Sequence, residues 1–362
     1  MSAQPPQPKP QRWASVDALR GLAVAAMLVV NTPGDWGHVY APLRHAIWHG
    51  CTLADLVFPF FLFVVGVSLT LSLTTKLTAG ASAAQLSYSL MWRSLRIIAL
   101  GLVLHAIAFW VFDAEAYRPL GVLQRIGLCV LAAGLLVIHT RSRTQWMIVV
   151  MLLFGYWGVL LVGGSFAPLT NIASRIDAAV LGPLAYSFNP ATGMGHEPEG
   201  LLSTLAAIAT TLLGVHAGRW LRAAALDRLM IAAVSMIGVG LLWSWNFPFN
   251  KNLWTSSYVL WSAGWACLAL VLCHWLIDRH GWPALGRSLG LNAIAIYAGS
   301  ASLLYALIGL EWLEPLYSYG FASLMTPRFG PYLPSLAFAL AFTAFWWLIA
   351  WWLDRRALYL KL

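Results

Sequence analysis

The chain has 362 residues, of which 60% are hydrophobic and only 10% charged, with a formal net charge of +9. That balance cannot cover a soluble globule with polar surface, so the chain reads as an integral membrane protein. The basic excess by itself would suit a nucleic-acid binder, but its spread along the chain follows membrane topology instead and excludes that class.

In chain order, the proline-rich opening MSAQPPQPKPQR has no apolar core and no small-residue cleavage site, so residues 1–14 are expected to be a disordered tail and not a signal peptide. From there residues 15–362 are expected to form a single transmembrane domain. Apolar runs of about 20 residues, each able to cross a ~30 Å hydrocarbon core as a helix, recur along it. They predict ten spans, at 19–33, 52–74, 91–112, 119–139, 145–163, 200–220, 227–246, 253–277, 288–309 and 333–353. The fold class is therefore all-α and polytopic. Ser15 and Asp17 have the character of a helix start, which moves the beginning of the first span back to about residue 15. With the N-terminus inside, 16 of the 22 lysines and arginines fall in inner segments. The positive-inside rule then places both termini in the cytoplasm. Cys51, Cys129, Cys267 and Cys273 lie in or at the edge of spans without paired spacing, so neither a disulfide framework nor a zinc cage is expected. Tryptophans gather towards span ends, as interfacial anchors do.

This topology puts two notable loops on the outer face. The first, about 34–51, carries RHAIWHGC with His45, Trp48 and His49, and runs into a span that holds Asp55 and Pro59 near its start. The second, about 164–199, is the longest and ends in GHEPEG, with Glu199; loops of that length are commonly functional or disordered. Ionisable groups inside spans are costly and want a reason. Arg20 reads either as a snorkelling topogenic residue or as part of an inner site. Asn31 reads either as a helix C-cap beside Pro33 and Gly34 or as a site residue. Asp55 and Arg125 enter their spans from the same side and are expected at similar depth, where they would form a bracing ion pair or line a wall. Gln124 adjoins Arg125, Asn250, Lys251 and Asn252 mark the outer start of the eighth span, and Asn292 lies early in the ninth. His45 and His49 are four apart but lack the glutamate and third ligand of a zinc site, so no metal is expected. A neutral imidazole on an outer loop is the side chain best suited to take a proton near pH 7.

The blocks RWASVDALRG, VVNTPG, RHAIWHGCTLADLVFPFFLFVVG, GVLQRIG, EPEGLLSTL with LLGVHAG, NKNLWTSSYV and GLNAIAIY resemble, in that order, the signature blocks of heparan-alpha-glucosaminide N-acetyltransferase and its bacterial relatives. The resemblance implies a multi-span enzyme that passes acetyl from cytosolic acetyl-CoA to the amine of a glucosamine residue across the membrane. It also implies, for a bacterial relative, residence in the inner membrane, and a homodimer. Carried over by motif, the family's catalytic histidine falls on His45, its asparagine at the end of the first core span on Asn31, the arginine of SVDxxRG on Arg20, and the Gln-Arg of VLQR on Gln124 and Arg125. His49 matches no required histidine. The connection from Asn31 to His45 is longer here than in the lysosomal enzyme, and that enzyme's extra luminal domain and leading span are expected to have no counterpart here.

Acetyl transfer from a thioester needs a neutral amine, a stabilised oxyanion and a protein-lined route across lipid. His45 can serve as base or as acetyl acceptor, and Asn31 can orient it or bind the thioester oxygen. Arg20, Arg93 and Arg96 at the inner mouth, with Gln124 and Arg125, make the expected coenzyme A set. Trp48, Asp55, Glu199, Lys251 and Asn252 make the expected acceptor set. The rival reading is an amino-sugar transporter without chemistry, which internal repeats would support and which the two halves do not display. A structural scaffold would leave the intramembrane charges unexplained.

Overall fold

A computed structural model describes residues 13–360. The tail expected at 1–14 lies, through residue 12, outside the described residues. The described residues are mainly helical, as an apolar environment requires, because a helix satisfies every backbone polar group within itself. Its first half comprises α1 (Ala14–Asn31), α2 (Leu53–Thr78), α3 (Ala83–Val111), α4 (Val122–His139) and α5 (Ser142–Val162). An excursion on the face expected to be outer follows, with α6 (Ile172–Leu181) and an antiparallel hairpin of β1 (Ser187–Asn189) and β2 (Met194–His196). Then come α7 (Leu201–Arg222), α8 (Leu226–Ser244), α9 (Ser256–Cys273, continued as a π-helical turn to Arg279), α10 (Arg287–Leu291), α11 (Ala293–Gly309), α12 (Leu313–Tyr317), α13 (Ser323–Phe329) and α14 (Tyr332–Arg355).

Among the described residues nine helices are long and apolar enough to cross a membrane, and α11 with α12 and α13 forms a tenth such element bent by 102°. The nine correspond to nine of the ten expected spans, and the remaining expected span, 288–309, corresponds to α11, which qualifies only together with α12 and α13. The differences lie at the ends. The helix α3 begins eight residues before the expected 91, because its first turns are amphipathic and fall outside an apolar window. The expected span 288–309 is split at Asn292, whose side chain binds the backbone of the C-terminal segment, accepting from Leu360 N at 2.9 Å and donating to Leu358 O at 3.1 Å.

In the centre, α2 and α7 lie backbone to backbone. A Cβ at Gly66 would collide with the Thr211 carbonyl, and one at Gly214 with the carbonyl of Phe63. Small residues at a lipid-embedded interface permit this approach, where dispersion and not hydrophobicity drives association. The pair forms the floor against which α1, α4 and α9 pack. At the side expected to be inner, the first turn of α1 and the end of α9 are tied by Asp278, which accepts from the Ser15 hydroxyl and lies 2.9 Å from Nδ1 of His274.

Candidate active site

The loop between α1 and α2 makes a short 3-10 turn at Ala41–Leu43 and then delivers His45 to the mouth of α2. What fixes the imidazole is the start of that helix. Thr52 is its N-cap and Asp55 its third residue, and Oδ2 of Asp55 reaches back to accept from Thr52 N at 3.0 Å. That is the acidic half of a capping box. Thr52 Oγ1 and Ala46 N also donate to Oδ2, both at 3.1 Å. All three donors use one oxygen, so Oδ1 remains for Nδ1 of His45 at 2.8 Å. Asp55 is 1% exposed whereas the His45 side chain is 37% exposed. A buried carboxylate therefore holds a reachable imidazole. With Nδ1–H donated to Asp55, the lone pair resides on Nε2.

Pro59 has a role in the same place. Proline cannot donate to the carbonyl four residues back, which here is that of Asp55. The Tyr258 hydroxyl of α9 supplies the missing donor to Asp55 O at 2.5 Å. The ammonium of Lys251 lies 3.3 Å from both ring nitrogens of His45. Burial lowers the Lys251 pKa, against the pull of Glu199 and Asp55. A small cavity of about 50 Å³ brings together His45, Asn31, Lys251, Glu199 and Tyr297 over Ala54, Val57 and Phe58 of α2.

The expected ion pair between Asp55 and Arg125 is not formed. Arg125 sits one turn into α4 under the second outer loop, where its Nη2 donates to Pro198 O at 2.9 Å and Ser203 Oγ at 2.5 Å, and its guanidinium lies 5.0 Å from the Trp254 ring. Gln124 is buried beside Gly101, its amide without a hydrogen-bond partner among the described residues. The structure thus separates both residues from the inner arginines. The other three members of the expected coenzyme A set are brought together: Arg20, Arg93 and Arg96 line an inner cavity of about 490 Å³ with Ser68, Ser72 and Asn292. Arg20 is oriented there by Gly290 O at 3.0 Å, Ser68 Oγ at 2.6 Å and Asp17 at 3.3 Å.

Of the expected acceptor set, Asp55, Glu199 and Lys251 converge at His45. Trp48 is instead committed to holding the two outer loops together, its indole donating to Phe166 O at 2.7 Å and packing edge-on against His196 at 5.1 Å. Asn252 is half-buried in the turn after Lys251 and does not line the cavity. His49 packs beside Trp48 and 3.4 Å from Asn250 Nδ2, its pKa lowered by burial.

The sequence reading missed Arg118. Its guanidinium bridges Glu197, through Nε at 2.9 Å and a second short contact, and Glu199 at 2.5 Å. Burial opposes its charge, but the two glutamates push its pKa upward overall. Burial opposes the charge on Glu199 as well, and Arg118, Arg125 and Lys251 outweigh that and lower its pKa. Asp177 accepts from Leu201 N at 2.9 Å at the start of α7, and burial pushes its pKa up to about 6. The clue in the sequence was the doubled acid of EPEG, which asks for a cation that no neighbouring residue supplies.

Residues 12–185 match the family model described as Heparan-alpha-glucosaminide N-acetyltransferase, catalytic. The human protein named heparan-alpha-glucosaminide N-acetyltransferase is 31% identical over 80% of this chain and 53% of its own length, and the mouse protein of that name is 29% identical over the same shares. The chain is similar to the heparan-alpha-glucosaminide N-acetyltransferases. It spans about half the length of the curated relatives it matches. Within the part matched to the family model lie Arg20, Asn31, His45, Asp55, Arg93, Arg96, Gln124, Arg125 and the newly found Arg118. Glu199 and Lys251 lie beyond it and reach the site through the fold.

Proposed function

We propose that this chain is a transmembrane N-acetyltransferase that takes acetyl from acetyl-CoA at the inner cavity and passes it to the amine of a glucosamine-type sugar at the outer one. One observation carries the reading: both cavities open on the same face of α2. Ala54 and Phe58 line the outer cavity and Phe61, Val65, Ser68 and Ser72 the inner one. From Ala54 to Ser72 the helix rises about 27 Å at 1.5 Å per residue, close to the ~30 Å of a hydrocarbon core. An extended pantetheine arm covers much of that distance, and the family likeness to proteins named as N-acetyltransferases supports the same chemistry.

In this reading the arginines Arg20, Arg93 and Arg96 hold the phosphates of the donor, and the inner end faces the cytoplasm in keeping with the basic residues gathered there. Asp55 keeps the His45 proton on Nδ1, so that Nε2 faces the reacting groups. The amine attacks the thioester carbonyl carbon, a C–N bond forms, the C–S bond breaks, and the thiolate leaves with the pair. His45 Nε2 takes the amine proton; in the two-step variant Nε2 first accepts the acetyl and the amine then displaces it. Asn31 Nδ2 and the Lys251 ammonium are the donors for the oxyanion, and Glu199 draws the acceptor's ammonium to the cavity, where it gives its extra proton to solvent before the neutral amine attacks. The test uses purified protein in liposomes with labelled acetyl-CoA and glucosamine. Label on the amine with wild type and none with His45→Ala supports the reading. Sugar uptake without acetyl-CoA and without label transfer would replace it with transport.

A further inference from the structure

A second hollow opens beside the reaction cavity, on a side of the molecule that faces lipid. Its volume of about 760 Å³ exceeds that of the inner cavity, and apolar faces of α1, α2 and α9 wall it. Leu53 and Leu272, on its walls, are 61% and 54% exposed, which for a spanning helix means contact with hydrocarbon. Along α9 the wall runs from Trp261 to Leu272. That is about 16 Å of helix rise, roughly half the ~30 Å core. Its outer end is closed by Pro42, Cys51 and Thr52. These belong to the loop that carries His45, and Thr52 N donates to the carboxylate that holds the imidazole. The groove and the reaction cavity meet at the seam between α1 and α2: Val57 lines both, and Ala26 lines the groove where its neighbour Met27 lines the cavity.

We infer that the acceptor is a lipid, its amino-sugar headgroup reaching His45 through the seam between α1 and α2 while its hydrocarbon chain lies in the groove against Trp265 and Leu268. This rests on the acetyl-transfer reading of His45 and adds to it the class of acceptor. An almost wholly apolar recess at this depth offers nothing to a water-soluble sugar, whereas a chain from the surrounding bilayer enters it without leaving hydrocarbon. A second copy of the chain would cover the groove but gives no reason for it to adjoin the reaction cavity.

The experiment compares glucosamine, butyl glucosaminide and hexadecyl glucosaminide as acceptors, with the wild-type protein in liposomes and acetyl-CoA as donor. Remote binding energy is expected to raise kcat/KM on the order of tenfold from the first to the last. Since a long chain also concentrates an acceptor in the bilayer, the deciding comparison is Leu268→Trp, which fills the groove from its α9 wall. It is expected to remove the gain for the hexadecyl acceptor and leave the glucosamine rate unchanged. Leu22→Trp, on the α1 wall, gives the same reading if Leu268→Trp does not fold. Equal use of all three acceptors, or a chain-length gain that survives the filled groove, overturns the lipid acceptor and leaves acetyl transfer standing. A dimer that Leu268→Trp converts to monomer assigns the groove to a second copy and also overturns it. Failure of wild type to acetylate any of the three overturns the transfer reading beneath it.

Discussion

His45 and Asp55 are joined by a 2.8 Å hydrogen bond in which the carboxylate is buried and the imidazole is not. The same carboxylate caps α2, so the position of the imidazole is referred directly to the start of a spanning helix instead of to a loose loop. Asp55→Asn keeps the shape and much of the cap but can no longer enforce the Nδ1–H tautomer. A fall in kcat of about 10²-fold or more is expected, the range associated with general base catalysis, with the KM for acetyl-CoA little changed. Single-turnover transfer and thermal unfolding of the same preparation separate the lost tautomer from lost structure.

Arg93 shares the inner cavity with Arg20 and Arg96. Arg93→Gln is expected to raise the KM for acetyl-CoA about tenfold, the equivalent of roughly one charged hydrogen bond, and to leave kcat nearly intact. Added salt should weaken donor binding in the wild type more than in the variant. An unchanged KM would remove Arg93 from the donor site.

Whether acetyl rests on the enzyme is a kinetic question. If Nε2 of His45 accepts it, protein mixed with labelled acetyl-CoA and no amine should retain up to one label per chain on acid-free quenching, and double-reciprocal plots should run parallel. Direct transfer predicts no retained label and intersecting lines.

Arg118 is 25% exposed and Glu197 fully buried, while the pair of Arg287 and Asp354 is 40% and 18% exposed. Removing one member of a buried pair strands the other, so Arg118→Gln should cost about 3–5 kcal/mol. Arg287→Gln should cost about 0–1 kcal/mol, as a more solvated pair does. Thermal unfolding in one detergent compares them. A small effect at Arg118 would show that the turn at Glu197 is held without it, by the backbone donors Tyr186 N and Glu199 N and by Arg125 on Pro198 O.

The second outer loop also carries a pH response. Burial lowers the pKa of His196 to about 4, and its Nδ1 lies 2.9 Å from the Ser174 hydroxyl. A histidine whose folded pKa is depressed binds its proton less well folded than unfolded. Its stabilising contribution is therefore complete above the ordinary value near 6.5 and is lost as pH falls from there towards 4. Hydrogen exchange across residues 163–200 should accelerate over that window, and His196→Gln should flatten the response.

Hydropathy is a residue-by-residue property, and it was enough to locate the apolar helices and the two loops that carry His45 and Glu199, because insertion into hydrocarbon is decided segment by segment. The motifs around Asn31 and His45 were legible for the same reason: their residues are neighbours in sequence. What only the folded arrangement decided is which charges meet. Asp55 pairs with His45 and not with Arg125, Arg118 clasps glutamates 79 and 81 residues away, and Lys251 reaches His45 from 206 residues along the chain. Those pairings depend on how each helix is rotated about its axis and which neighbour it packs against. Close contacts such as Gly66 on Thr211 and Gly214 on Phe63 set that rotation, and no local pattern of apolar and polar residues encodes it.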